Sequence, residues 1–195
     1  MVPNHATQTD PYLHEIKGAA AATLGQVPIA NGAGGAPFGT LATNGSGSVV
    51  KTAIIQSHTT LTGTTLIPFD NTIPQLTEGD NIFNINWTPS TTGNIIRVSA
   101  VLFGAYSVAA NITAALFLDS TVNAIAAVAR QTTIINQSFG LDLVWEITAP
   151  SVTTIAFKVQ LGGSTAGTWT LNGNAGTAIF GGMAASTLVL TEIRP

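Results

Sequence analysis

The sequence predicts an all-β protein, a two-sheet antiparallel jelly-roll sandwich preceded by an extended N-terminal arm. Three observations carry this. From residue 49 onward, apolar and polar residues alternate with period two and β-branched types dominate, as in Phe83-Asn84-Ile85-Asn86-Trp87. Turn signals (Asp-Asn, Gly-Gly, Asn-Gly, Pro) separate the alternating runs at roughly the 8–12-residue spacing of sandwiches and barrels. Helical periodicity is confined to short stretches.

Taken in order, residues 1–43 form the arm. Pro3, Pro11, Pro28 and Pro37 interrupt any long helix. Asn31-Gly32-Ala33-Gly34-Gly35 offers little to bury, and only 18–24 suits a short helix. Such an arm is expected to order against a partner. Residues 44–48 read as a Gly/Ser linker, and 49–195 as the sandwich domain. Strands are expected at 51–58, 64–69, 83–87, 94–106, 112–119, 122–130, 138–148, 153–161, 168–171 and 186–193. The stretch 124–129 is rich in alanine, but the flanking Val and Ile favour a strand there.

Composition sharpens the picture. Only 8% of the 195 residues are charged, against about a quarter in ordinary soluble domains. A folded chain of 19.9 kDa exposes roughly 8,700 Å², and six basic and nine acidic side chains cover less than about a fifth of that. Much of the remaining surface must be hydroxyl, amide and apolar, and large apolar patches mark interfaces. The chain therefore reads as a subunit of something larger.

The net charge is −3 and the basic residues are scattered, so no nucleic-acid stripe exists. Without cysteine, disulfides and thiolate chemistry are excluded. The polar residues 1–15 are unlike a signal peptide, and no apolar run reaches membrane-spanning length. The expectation is a soluble protein made in a cytoplasm, and either kept there or carried out as part of a particle.

The residue pattern forms no catalytic or metal-ligating set. His5, His14 and His58 stand beside no nucleophile motif. His14 and Glu15 fall short of the three or four ligands a metal needs. Glu78 and Asp80 flank Gly79 in a segment that suits a calcium loop, but suits a β-turn better. Asp70, Asp119 and Asp142 are isolated carboxylates. The glycines of 32–39 lack the Lys-Ser/Thr of a phosphate cradle. No enzyme activity, cofactor or metal is expected. Trp87 and Trp145, within alternating strands, are expected in the core. Trp169, in a polar and Gly-rich segment, is the one candidate for glycan contact among the aromatics, although core packing is the favoured reading there too.

Two stretches resemble known families. His14-Glu15-Ile16-Lys17-Gly18 with its small-residue run, then Gln26-Val27-Pro28-Ile29-Ala30-Asn31-Gly32-Ala33-Gly34, resembles a segment of head-fibre, decoration and tail-fibre proteins of tailed bacteriophages. Phe38 stands where an aromatic usually follows those glycines. Ile67-Pro68-Phe69-Asp70-Asn71-Thr72-Ile73-Pro74-Gln75-Leu76-Thr77-Glu78-Gly79-Asp80 resembles a stretch early in phage jelly-roll heads of the tumour-necrosis-factor and complement type. Such heads are commonly trimeric and cap virion fibres.

The resemblance implies a non-enzymatic virion protein on the capsid surface, assembled in the host cytoplasm. It would be a trimeric capsid decoration or head fibre, held by its arm and contacting host surface glycans. Its partners would be copies of itself, a major capsid or other virion protein, and those glycans, without nucleic acid or membrane insertion. Tyr12, His14, Ile16, Lys17, Val27, Ile29 and Phe38 would anchor it. The alternative is a receptor-binding tail-fibre or tail-tip adhesin.

Overall fold

A computed structural model describes residues 26–28, 38–40 and 45–195 of the chain. The chain divides into two units, Met1–Gly45 and Ser46–Pro195. Of the first, only an antiparallel pair is described, β1 (Gln26–Pro28) with β2 (Phe38–Thr40).

The second unit begins with β3 (Val49–Ser57), β4 (Leu61–Gly63), β5 (Asp80–Trp87) and β6 (Ile95–Tyr106). It continues with β7 (Asn111–Leu118), β8 (Ala126–Gln131), β9 (Gln137–Thr148) and β10 (Ile155–Gly163). Next come β11 (Trp169–Leu171), β12 (Gly173–Asn174), β13 (Thr177–Ala178), a single 3-10 turn at Phe180–Gly182, and β14 (Ser186–Ile193).

The topology follows from the pairings. One sheet has the order β5-β10-β7-β8. The other runs β3-β14-β6, and β6 also pairs β9 along its whole length. With the long strands taken in chain order, the sheets read 2-7-4-5 and 1-8-3-6. That interleaving is the doubly wound Greek key of a jelly roll. β11 and β4 extend the second sheet beside the last residues of β6, where β14 has ended. All the strand pairings are antiparallel.

Alternation explains the core. In β14 the residues Leu188 and Leu190 are fully buried while Thr187, Val189 and Thr191 are only half-buried. The inward residues of both sheets meet in one cluster, including Phe83, Trp87, Val98, Leu102, Leu116, Phe139, Phe157 and Leu188. The two sheets thus bury their facing sides against each other, which is the principal source of stability in this architecture.

Two predicted strands are corrected. Residues 64–69 form a connection that touches the sheet at one parallel bridge, Leu66 with Gly163, where the Ile67 amide donates to the Gly163 carbonyl at 3.0 Å. Pro68 has no amide to continue a ladder. Ile67 is buried instead against Ala115 and Phe117 on the outer side of β7. Residues 122–125 likewise lie outside β8, because their backbone bonds the 74–76 segment: the Ala124 amide donates to Pro74, and the Leu76 amide to Val122.

A buried polar cluster closes one end of the sandwich. Glu192, on the core-facing side of β14, is fully buried. Its carboxylate accepts from the Ser90 amide and the Asn94 side chain, both at 2.7 Å, and from the Ser90 hydroxyl at 3.2 Å. Lys51 Nζ lies 3.5 Å away and 4.3 Å from the centre of the Trp87 ring. Burial alone would push the carboxyl pKa up. The bonds from Asn94 and Ser90, with the Lys51 charge, outweigh that and hold it below its ordinary value.

Candidate functional site

The feature that needs an explanation is the outer face of the β3-β14-β6-β9 sheet. Register places Ile54, Val189, Ser99 and Val144 in one row across its four strands. The next row holds Gln56, Thr187, Val101 and Asp142, and the row on the other side Thr52, Thr191, Arg97 and Glu146. Ile54 is 65% exposed, Val144 56% and Val101 50%. At one end of the face Phe103 meets Phe180, their ring centres 6.5 Å apart. Phe180 and Met183, on the turn beyond, are both strongly exposed.

The strands that build this face carry unbroken apolar runs. They read Ala53-Ile54-Ile55, Leu188-Val189-Leu190, Ala100-Val101-Leu102-Phe103 and Leu143-Val144-Trp145. A strand with one wet face alternates, whereas a run apolar on both sides is the signature of two buried faces. β7 shows what such a pattern means inside this molecule. Ile112, Ala114 and Leu116 enter the core between the sheets, while Ala115 and Phe117 are buried on the other side beneath Ile67 and Leu76. No described residue plays that covering part over Ile54, Val101 and Val144.

Charge is sparse here as well. Arg97 donates to Glu146, Nε at 2.7 Å and Nη2 at 2.6 Å from Oε1. This exposed cross-strand pair contributes well under about 1 kcal/mol. It leaves the row of Ile54, Val189 and Val144 uncharged. The arrangement can bury apolar area against another protein surface.

The sequence-predicted residues are distributed differently. Tyr12, His14, Ile16, Lys17 and Ile29 lie outside the described residues. Val27 and Phe38 fall in β1 and β2, where Val27 pairs with Gly39 and Pro28 with Phe38. Trp169 is 2% exposed, within the core, in agreement with the favoured reading of its segment. Gly63, its partner in the ladder, makes this possible, because a Cβ there would overlap the Trp169 ring. Trp87 is buried as expected, but Trp145 is 45% exposed. It points to the same side as its buried partner Val98. Leu143 and Ile147 on the same side pack on the core, and Trp145 between them stands exposed on β9, a strand paired to β6.

The carboxylates Glu78 and Asp80 serve the backbone. Glu78 accepts from the Gln75 amide at 2.8 Å; Asp80 accepts from the Thr65 amide at 3.1 Å and its hydroxyl at 2.6 Å. Gly79 between them has φ +72°, the left-handed conformation a tight turn demands. Among the described residues no group of three or more His, Cys, Asp or Glu is placed to hold a metal, and no helix is long and apolar enough to cross a membrane.

No protein family and no curated protein matches the chain. Solved structures give distant likenesses. The Eiger tumour necrosis factor of S. frugiperda aligns over 73% of this chain and 92% of its own, at 8% identity and a TM-score of 0.37. The infectious bursal disease virus structure of the Gx strain covers 87% of this chain at 12% identity and a TM-score of 0.37, and this chain spans 42% of it. The enzymatically active domain of tailspike protein 4 from bacteriophage CBA120 covers 63% of this chain and 19% of that one, at 16% identity and a TM-score of 0.26. The fold assignment rests on the strand order itself.

Proposed function

We propose that this chain is a non-enzymatic structural protein of a tailed-phage virion. In this reading it is a homotrimeric decoration or short head fibre, held to the capsid by residues 1–43, with its outer surface meeting host glycans. The observation that carries the assembly is the uncovered apolar face around Ile54, Val101 and Val144, built by strands whose pattern calls for two buried sides. A second copy is the natural cover, since obligate interfaces between copies resemble a divided core. Placement on a phage virion rests on the resemblance of residues 14–34 and 67–80 to phage virion proteins, and the head is the position this reading assigns. Three arms per particle-bound trimer would make attachment multivalent, so that each contact need be only weak.

The test is co-sedimentation of the full chain, and of a version lacking residues 1–43, with undecorated heads. Residues 46–195 form a compact unit of their own, so the shortened chain keeps its sandwich. The reading predicts that only the full chain pellets with heads. Adsorption of both versions to host cells, with neither binding heads, would replace it with a receptor-binding tail-fibre or tail-tip adhesin.

A further inference from the structure

The other sheet carries a second feature on its outer side. The connection through residues 68–74 arches over β7 and β8 and leaves a cleft of about 240 Å³. Its floor is Thr113 of β7 with Ala127 and Ala129 of β8, where Thr113 and Ala129 are register partners. Its wall includes Phe69, Asp70 and Thr72. The small floor residues keep it open, because a longer side chain at Ala129 would fill it.

The chemistry of the lining is selective. Phe69 is 62% exposed, and the electron-rich face of its ring attracts the polarised C–H bonds of a saturated ring. Asp70 Oδ1 accepts from the Thr72 amide at 2.8 Å and from the Thr72 hydroxyl. Those bonds hold the carboxyl below its ordinary pKa, so it stays ionised at neutral pH. Oδ2 accepts no bond from any described residue, and a carboxylate oxygen is a strong acceptor for hydroxyl protons. The Thr113 hydroxyl is buried and has no partner, and buried polar groups are nearly always satisfied.

An anion would meet the Asp70 charge. A divalent cation needs several oxygen ligands, and one carboxylate does not supply them. An apolar ligand would leave the buried Thr113 hydroxyl without a partner and make no use of Asp70. What remains is a small, neutral, polyhydroxylated ring. The volume suits this, being just below the about 300–1,000 Å³ of sites for drug-sized ligands.

We propose that the cleft between residues 68–74 and the β7–β8 surface binds a single sugar ring of a neutral glycan. This rests on the reading that the exposed domain meets host glycans, and it assigns that contact to Phe69, Asp70 and Thr113 in place of Trp169.

The test is saturation-transfer NMR on the full chain with glucose, galactose, mannose and N-acetylglucosamine, each at about 10 mM, where weak binding is visible. At least one sugar should bind, and Phe69→Ala and Ala129→Leu should each weaken it at least tenfold with an unchanged melting temperature. Binding that survives both substitutions would overturn the cleft while leaving glycan contact elsewhere on the surface. Absence of binding by all four would overturn the cleft together with the glycan reading. Capsid attachment is read separately by sedimentation and is independent of either result.

Discussion

At the scale of single residues, Glu192 and Asn172 show why a chain so poor in charge buries the polar groups it has. Glu192 joins the ends of β14, β6 and the loop at Ser90 through hydrogen bonds and the Lys51 charge. Its folded pKa lies below the unfolded one, so it contributes stability above the ordinary glutamate range that is lost as pH falls through the folded value. Acid denaturation followed by circular dichroism should therefore show a steep loss below about pH 4.3, and Glu192→Gln should flatten it. Glu192→Ala strands the Asn94 and Ser90 donors and should cost about 3 kcal/mol. Asn172 is fully buried with φ +55°. Its side chain donates to the Ser57 and Thr59 carbonyls and accepts from the Ser186 hydroxyl. Asn172→Ala should lose about 2–3 kcal/mol in urea denaturation, since it orphans those groups and puts alanine in a left-handed conformation.

At the scale of elements, close approach governs the end of the sandwich where β10, β6 and β11 meet. A Cβ on Gly163 would overlap the Tyr106 hydroxyl, which donates to the Thr165 carbonyl. Gly163→Ala should lower the melting temperature by several degrees, about 2 kcal/mol of overpacking. Elements whose apolar residues enter the core between the sheets were legible in the sequence. β14 spans the expected 186–193 and β9 differs from expectation by one residue. The segment 64–69 departs from expectation because Ile67 is buried on the outer side of a sheet, while the backbone touches that sheet at one bridge only. Periodicity reports burial, and it is silent on which partner provides it. Trp145 departs from expectation for a related reason. Trp169 is covered because Gly63 leaves room, and Trp145 is bare between the packed Leu143 and Ile147, both facts of tertiary geometry.

At the scale of the whole molecule, the signal for the candidate interface was present in the sequence as the low charge and as unbroken apolar runs such as 100–103. Locating it required the register, which alone brings Ile54, Val189 and Val144 into one row. The cleft beneath Phe69 was not legible, since it depends on how the 68–74 connection crosses β7 and β8. If the sheet face is a self-interface, a charge at its centre should break the assembly without unfolding the sandwich. Val144 is exposed in the single chain, so Val144→Lys should leave the monomer folded.

The most direct measurement is the mass of the full chain in solution by sedimentation equilibrium, beside Val144→Lys. The account predicts three times the 19.9 kDa chain mass for the natural sequence at micromolar concentration. Val144→Lys should sediment as a folded monomer. A natural sequence that stays at 19.9 kDa, or a trimer untouched by Val144→Lys, would contradict it.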